Sequence, residues 1–328
     1  MKSARVKNAI MSVICAMITC SQAYAGNMGA GKIGGSEFLS KEGGIPSCVE
    51  IAAPARNLAT QSKYDQFDSS RSQVSEDAME LRNTVMVPIR HSIADMAKLR
   101  FDPGSSSQAA LARARCVTEN VVRWAKAGSL TQMASADAFL TRDRLISEIL
   151  LTLISAERVQ KMSEEDRGIV SEWLTGIADS TMEYYQYRAG QKSKMNNHRY
   201  WAALSVGSVG FFLEQPKYVE WGNRGYELGV CQVDAAGYLP LELSRGQLAL
   251  DYHVYSLRPL QALAELAASK GQNLENKCNG GLKRLRDQTF ASVRNSKAIS
   301  ELTGLKQDIH FKEMSFIAPL QLTSLGFL

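Results

Sequence analysis

Two segments of the chain concentrate side chains that can donate, accept and move protons, which is unusual for core helices. They are residues 194–201 (KMNNHRYW) and residues 239–255 (LPLELSRGQLALDYHVY). In a helix, His198 and Trp201 share a face, because residues three apart are neighbours on a helix surface. Arg245 and Tyr252 lie seven residues apart, two turns or about 10 Å along a helix axis. The pattern could place an imidazole, a guanidinium and a phenol along one cleft.

The same residues also have a structural interpretation, which spacing alone leaves open. A single histidine in a helical protein usually belongs to the core or the surface, and aromatic residues at helical spacing usually pack. Arg245 could form a surface ion pair with Glu242, three residues earlier. Spacing therefore indicates candidates for acid–base chemistry but does not assign their roles.

Helices must position these residues, and from about residue 76 the apolar pattern is helical almost throughout. Apolar residues recur at helical spacing over residues 145–154, and Ser163 followed by three acids is typical of a helix start. Convincing alternating strand runs are scarce, so we predict an all-α chain of about ten to twelve helices. Many helices are apolar on more than one side, which favours a layered ring or solenoid of helical hairpins.

The first 25 residues have the pattern of a secretory signal peptide. A basic start precedes an apolar stretch, and Ala23-Tyr24-Ala25 supplies the small-x-small pattern before a cleavage site. We therefore expect a mature chain from Gly26 in the periplasm, or secreted beyond it. Residues 26–75 are rich in Gly, Ser and Asp, which indicates a loop segment, and residues 76–328 are expected to form one helical domain with it.

Charge indicates which partners the chain can hold. The formal charge is +5, but Lys2, Arg5 and Lys7 lie in the signal segment, and without them it falls to +2. Net charge therefore does not indicate nucleic-acid binding, and a polyanion must be held by a local basic cluster. No apolar run reaches the roughly 18–20 residues of a membrane-spanning helix.

The cysteines indicate disulfides, and the histidines do not indicate a metal centre. The cysteines beyond the signal segment are Cys48, Cys116, Cys231 and Cys278. Four cysteines allow three pairings, and none of these lies in a CxxC motif. The histidines show no HxH or HxxxH spacing, so we do not expect a histidine metal site.

The two polar segments resemble a known enzyme family. Asn-Asn-His-x-Tyr-Trp-Ala-Ala at residues 196–203, and the pattern Asp-x-x-Gly-x-Leu-Pro-x-Glu-Leu-x-Arg that begins residues 234–260, are similar to motifs of the alginate lyases of polysaccharide lyase family 5. The resemblance covers about residues 48–270. It implies an (α/α) toroid of helical hairpins with a deep cleft and an N-terminal lid loop.

The resemblance also implies a β-elimination on a 4-linked polyuronate, with polymannuronate or alginate as the expected substrate. This chemistry needs no cofactor and no metal. The enzyme removes the C5 proton beside a carboxylate and expels the C4 oxygen, which leaves an unsaturated 4-deoxy uronate end. Asn197 and Arg245 would hold and neutralise the carboxylate. His198 would act as base, and Tyr252 would protonate the leaving oxygen or, on mannuronate, serve as base and acid. The pKa of Tyr252 must then fall, and Arg245 would lower it.

Further segments that resemble the family imply how the anionic polymer is bound. Ser-Lys-Tyr-Asp at residues 62–65, with Asp68 and Arg71, resembles the lid, and residues 124–128 resemble a cleft-lining helix. Trp201 would stack on a sugar ring. The residues expected to contact the polymer are Lys63, Tyr64, Arg71, Trp124, Arg199 and Trp201. We expect the enzyme to be a monomer.

The resemblance also selects one disulfide pairing. Cys48 and Cys116 both lie in segments that resemble the family, so we predict that they pair. Cys231 is then left to pair with Cys278. Each bridge is expected to contribute about 2–4 kcal/mol by closing a loop.

Departures from the family pattern keep other functions open. Arg199 and Asn120 replace residues of other types, and residues 316–319 read Phe-Ile-Ala-Pro where the family has Trp-Leu-Glu-Pro. Polyglucuronate or a mixed exopolysaccharide is therefore an alternative substrate. An (α/α) glycoside hydrolase would need two carboxylates, for which Glu242 and Asp251 are candidates. A non-catalytic uronan-binding protein is a further alternative.

Overall fold

The computed structural model of the chain describes residues 39–42, 45–99 and 107–310, with side chains from residue 48 onwards. The predicted signal peptide and residues 316–319 lie outside these ranges. The chain divides into two compact units, Met1–Ser47 and Cys48–Leu328. The described part of the first unit is a two-stranded sheet of β1 (Leu39–Glu42) and β2, whose range Ile45–Cys48 runs to the start of the second unit.

The second unit is helical, which confirms the all-α prediction. Its α-helices are α1 (Glu76–Lys98), α2 (Ser107–Lys126), α3 (Ala136–Val159), α4 (Glu164–Glu183), α5 (Gln191–Met195), α6 (Asn197–Leu213), α7 (Pro216–Cys231), α8 (Pro240–Leu243), α9 (Ala249–Ala268), α10 (Lys277–Arg294) and α11 (Lys297–Thr303). A π-helix covers Tyr184–Arg188, and a 3₁₀ turn covers Gly246–Leu248. Two short parallel strands, β3 (Asn57–Leu58) and β4 (Gln132–Met133), pair Asn57 with Gln132. None of the helices in the described ranges has the length and apolar character of a membrane span.

Side-chain caps fix where the main helices begin. Ser75, Ser135 and Ser163 each precede a helix, and each hydroxyl accepts a backbone N–H three residues later, at 3.4, 3.0 and 3.2 Å. Asn196 begins α6 in the same way, because its side-chain oxygen accepts the N–H of His198 at 3.1 Å. These bonds satisfy donors that a helix start leaves without partners. The start predicted at Ser163 is confirmed.

Helix α6 lies at the centre of the helical unit and packs against α3, α4, α7 and α9. Of its residues, only His198 and Leu213 are not fully buried. The contact with α7 depends on glycine, since a Cβ added to Gly222 would lie 2.7 Å from the Cα of Gly207. A side chain there would push the two helices apart. The polar first turn of α6 is therefore held by a rigid, closely packed helix.

Both predicted disulfides are confirmed. Cys48 pairs with Cys116 at a Cα–Cα distance of 4.9 Å, and Cys231 pairs with Cys278 at 5.1 Å. The first bridge joins the segment before the lid to α2, and the second joins the end of α7 to the start of α10. Asn120 supports the first bridge, because its side-chain oxygen accepts the N–H of Ile51 at 2.8 Å. The residue that departs from the family pattern at position 120 therefore has a structural contact.

A buried histidine makes the stability of the fold depend on pH. His253 accepts the N–H of Leu239 at Nε2 (3.0 Å), and its Nδ1 lies 2.7 Å from the carbonyl oxygen of Ala249. Both contacts together fit the neutral ring with its proton on Nδ1. Burial lowers the pKa of His253 to about 4, from 6.5. Between about pH 4 and pH 6.5, His253 is therefore protonated in the unfolded chain but neutral in the folded chain.

We expect this part of the stability to be complete above about pH 6.5 and to decline as the pH falls toward 4. The shift corresponds to about 3 kcal/mol of unfolding free energy. His253→Gln should be less stable than wild type at pH 7.5, and the difference should shrink by about 2–3 kcal/mol at pH 4.5. Urea denaturation at both pH values measures it, with His91→Gln as a control at an exposed histidine. A difference that stays constant with pH would contradict this role of His253.

Candidate active site

The predicted catalytic residues come from three neighbouring elements. Asn197 and His198 open α6, Arg245 precedes the 3₁₀ turn, and Tyr252 lies in the first turn of α9. The guanidinium carbon of Arg245 lies 3.8 Å from the centre of the Tyr252 ring. Arg245 also acts electrostatically on His198. The structure thus brings the cation, the phenol and the imidazole together.

A lid covers this cluster. We define the lid as residues 62–75, a hairpin-like turn in which Tyr64 pairs with Val74. The hydroxyl of Tyr64 lies 2.6 Å from the hydroxyl of Tyr252, and either oxygen could be the donor. Arg245 donates through Nη2 to the carbonyl oxygen of Arg71. The lid therefore contacts both the phenol and the guanidinium of the site.

One carboxylate organises the turn of the lid. The carboxylate of Asp68 accepts five hydrogen bonds of 2.6 to 3.3 Å within the lid. The donors are the N–H and hydroxyl of Ser70, the N–H and hydroxyl of Ser72, and the N–H of Gln73. These bonds, with that from the Ser70 hydroxyl first, hold the pKa of Asp68 well below its usual range. Arg71 lies inside the turn with a φ of 54°, which is uncommon for a residue with a side chain. The turn directs the Arg71 carbonyl toward Arg245.

The two predicted lid cations are partly exposed. The ammonium of Lys63 lies 5.1 Å from the centre of the Tyr64 ring. Arg71 donates through Nη1 to the carbonyl oxygen of Asp65 at 3.2 Å, within the lid itself. Both cations therefore belong to the segment that covers Tyr252, where a polyanion could reach them.

Three of the residues expected to contact the polymer have buried side chains. Trp124 is 0% exposed and donates through Nε1 to the carbonyl oxygen of Ile51 at 3.1 Å. Trp201 is 2% exposed and packs against Tyr255, with ring centres 5.2 Å apart. Arg199 is 9% exposed, and its guanidinium carbon lies 3.5 Å from the centre of the Trp221 ring. In this structure, these three side chains make their contacts within the interior of the protein.

Glu242 is buried and does not form the surface ion pair with Arg245 that its spacing suggested. It is 1% exposed, and its Oε1 accepts the backbone N–H of Asn197 at 2.9 Å. The side-chain nitrogen of Asn197 lies 3.2 and 3.1 Å from Oε1 and Oε2. Burial raises the pKa of Glu242, while the Asn197 donors and Arg245 oppose the rise. Glu242 is thus a buried partner of Asn197, which the sequence analysis missed.

The other candidate carboxylate of a hydrolase, Asp251, is also engaged. Both of its oxygens lie 2.9 Å from the backbone nitrogen of His310, and one lies 3.2 Å from the His310 ring. Asp251 and Glu242 are both buried with protein donors. Neither carboxylate is presented to a ligand, so the arrangement does not favour a glycosidase pair.

Burial sets the protonation states of the two proton-transfer candidates. It lowers the pKa of His198 to about 4, with Arg245 and Arg82 adding to the effect and Asp137 opposing it. His198 is therefore neutral near pH 7, and no described residue hydrogen-bonds to its buried Nδ1. Burial raises the pKa of Tyr252 well above its usual value, and Tyr64 adds to the rise. Arg245 lowers the pKa of Tyr252, as we predicted, but the effect of burial is larger. The pKa of Tyr252 is therefore raised, and the expectation that it falls is corrected.

Contacts between distant segments complete the surroundings of the site. Arg82 on α1 forms an ion pair with Asp137 on α3, and it donates to the carbonyl oxygen of Gln61 at 2.6 Å. This pair ties α1 and α3 to the chain just before the lid. Tyr255 lies one turn after Tyr252 with ring centres 6.1 Å apart, and it interacts with Arg144. The spacing of Tyr255, three residues after Tyr252, could have indicated that it lies near the site. Nothing local in the sequence distinguishes Arg82 from other arginines.

Comparison with known proteins gives a consistent result. The family model described as alginate lyase matches residues 61–299 of the chain. An alginate lyase of Pseudomonas syringae pv. syringae is 30% identical over 275 residues, which cover 80% of this chain and 70% of that protein. An alginate lyase of Cobetia marina is 32% identical over 280 residues, covering 80% and 71%.

A solved structure supports the fold. The crystal structure of alginate lyase A1-III from Sphingomonas species A1 has a TM-score of 0.66 and 20% identity to this chain, covering 92% of this chain and 86% of that one. At this identity the similarity concerns the fold alone. It confirms the (α/α) toroid that we predicted.

We expect Asp68→Asn to loosen the lid while leaving the helices intact. A neutral amide is a weaker acceptor for the donors of the turn, and its NH₂ group faces them with the wrong polarity. The backbone amides of residues 69–74 should exchange with deuterium roughly tenfold faster than in wild type. Hydrogen-exchange mass spectrometry measures this. Asp65→Asn is the matched control, because the Asp65 side chain accepts the N–H of Phe67 at the same lid. Equal exchange in wild type and Asp68→Asn would show that the turn does not depend on the carboxylate.

Proposed function

The chain belongs to the alginate lyase family, and we propose that it is a polysaccharide lyase that cleaves alginate at mannuronate residues by β-elimination. The observation that carries this proposal is the contact of Tyr252 with both Arg245 and Tyr64 under the lid. Such a cluster supplies a phenol that can exchange a proton and a cation that can stabilise developing negative charge. The reaction leaves an unsaturated 4-deoxy uronate at the new chain end.

The carboxylate of the substrate is the first problem in this chemistry. The C5 proton beside an ionised carboxylate is hardly acidic, because its removal adds a second negative charge to the same group. We assign Arg245 and Asn197 to hold that carboxylate and to stabilise the enolate-like charge that develops. A guanidinium suits this task, because it can give a carboxylate two parallel hydrogen bonds.

Proton transfer is assigned to His198 and Tyr252. His198 is neutral near pH 7, which leaves a ring nitrogen able to accept the C5 proton. Tyr252 keeps its proton, because burial raises its pKa, and it can protonate the departing C4 oxygen. The hydroxyl of Tyr64, 2.6 Å from that of Tyr252, can exchange a proton with it. Tyr252 acting as both base and acid is the second route, and the two routes differ in their pH dependence.

Polymer binding is assigned to the lid and to one wall of the cluster. Lys63 and Arg71 lie in the lid beside Tyr64, and both are partly exposed. Tyr255 replaces the buried Trp201 as our candidate for aromatic contact with a sugar ring. The residues that depart from the family pattern at positions 120 and 199 are buried, which supports alginate over a different polyuronate. We also propose a periplasmic location, and the two disulfides are consistent with an oxidising compartment.

Enzyme assays test the proposal directly. Wild type should produce ultraviolet-absorbing unsaturated uronate from polymannuronate, and less or none from polyguluronate, polyglucuronate and hyaluronan. Tyr252→Phe should nearly abolish turnover, and Arg245→Ala should reduce kcat at least about 100-fold, or about 3 kcal/mol of barrier. Tyr187→Phe, at an exposed tyrosine outside the cluster, should leave kcat unchanged. Wild-type rates in the Tyr252 and Arg245 variants, or no product from any uronan, would exclude the proposal.

The pH profile separates the two routes of proton removal. If neutral His198 is the base, kcat/KM should be flat from roughly pH 6 to 8 and should fall below about pH 5, because His198 becomes protonated near its pKa of about 4. If the Tyr252 phenolate is the base, kcat/KM should instead rise tenfold per pH unit through the neutral range. We expect the flat profile on the preferred substrate. A steady rise up to pH 9 would contradict the role of His198.

A further inference from the structure

Glu242 is a buried carboxylate beside the site to which the proposed chemistry gives no role. It belongs to α8, three residues before Arg245, and it touches Asn197 on the neighbouring helix. The position of α8 is fixed in turn by His253, whose Nε2 accepts the N–H of Leu239 at the start of this helix. A carboxylate is expensive to bury, and such a group is retained only where its hydrogen bonds compensate.

The contact between Glu242 and Asn197 fixes which way the amide of Asn197 points. The amide nitrogen lies 3.2 and 3.1 Å from the two carboxylate oxygens of Glu242. In the flipped orientation the amide oxygen would face the same carboxylate, and two acceptors would repel each other. The carboxylate therefore selects one orientation, which a neutral acceptor–donor group would not do.

This contact uses only part of the amide. The two oxygens of one carboxylate lie close together, whereas the two N–H bonds of an amide nitrogen diverge, so one N–H can serve both oxygens. The second N–H and Oδ1 remain, and Oδ1 is buried with no hydrogen-bond partner in the described part of the chain. Asn197 can therefore offer a second N–H beside His198, and its Oδ1 is available as an acceptor. A buried acceptor without a partner is uncommon and indicates a position where a ligand hydroxyl can donate, while the second N–H can donate to a ligand acceptor.

The backbone of Asn197 is held by the same carboxylate. Its N–H, at the start of α6 where the helix supplies no acceptor, donates to Oε1 at 2.9 Å. A negative group is favourable there, because the start of a helix carries partial positive charge. Together with the cap from Asn196 to His198, this bond fixes the first turn of α6. Glu242 thus constrains both the backbone and the side chain of Asn197.

We propose that Glu242 is a positioning residue, which orients the amide of Asn197 so that its free N–H meets the carboxylate of the bound uronate. This inference rests on the proposed lyase function. Glu242 does not touch the sugar, and it acts on the reaction only through Asn197. Its removal should therefore affect the step in which charge develops on the carboxylate, more than the binding of the polymer.

Glu242→Gln is the test, because glutamine keeps the size and one acceptor but no longer selects an orientation of the amide. We expect kcat on polymannuronate to fall roughly 10- to 100-fold, with KM changed less than about threefold. Asn197→Ala should lose a similar factor. The double variant should lose no more than Asn197→Ala alone, because Glu242 then has no amide to orient.

Controls separate positioning from a general loss of stability. Glu157→Gln removes another buried carboxylate, which accepts the N–H of Met162 at 2.7 Å, and it should lower the unfolding temperature without changing kcat. If Glu242→Gln does not fold, Glu242→Asp is the alternative variant. It keeps the negative charge, but its side chain is one methylene shorter and no longer reaches Asn197. The same fall in kcat is expected for it.

The outcomes distinguish the inference from the function on which it rests. Multiplicative losses of kcat in the double variant, or a wild-type kcat in Glu242→Gln, would overturn the inference while the lyase function stands. A wild-type enzyme that releases no unsaturated product from any uronan would overturn the function, and the inference with it. Coupled losses in kcat with nearly unchanged KM would support it.

Discussion

The almost complete burial of helix α6 is the constraint on which the rest of the structure depends. The helix packs against four others along its length, and the contact between Gly207 and Gly222 brings it so close to α7 that a side chain at Gly222 would force the two helices apart. Its first turn cannot shift without disturbing the core. Because Asn197 and His198 occupy that turn, the position of the candidate chemistry is set by apolar packing some distance away.

Burial also decides the protonation states at the site. The same desolvation lowers the pKa of His198 and raises that of Tyr252, because in each case it disfavours the charged form. Both groups are therefore neutral over a wide pH range, one as an acceptor and the other as a donor. The nearby guanidinium of Arg245 changes the size of these shifts but not their direction. A single physical cause thus keeps both the acceptor and the donor of the candidate site uncharged.

Much of this arrangement could be predicted from the sequence, and the failures have identifiable physical reasons. Helix starts such as Ser163 were predictable because caps are local, and the grouping of His198 with Tyr252 followed from motifs that resemble a family. The burial of Trp201 and Arg199 was not, because a helix that is buried all around has no polar face to indicate its orientation. The contacts of Glu242 with Asn197 and of Arg82 with Asp137 join segments 45 and 55 residues apart. No local pattern encodes such contacts.

The lid gives the site an internal competitor. The hydroxyl of Tyr252 and the guanidinium of Arg245 already have partners, namely the Tyr64 hydroxyl and the Arg71 carbonyl. A polymer that takes these groups must first displace them, so binding is an exchange of hydrogen-bond partners and not the filling of vacant positions. The net gain is the difference between two sets of bonds, which is smaller than either set alone. In the proposed lyase, this exchange would moderate the affinity for the polymer, and re-formation of the lid contacts would help to release the cleaved chain.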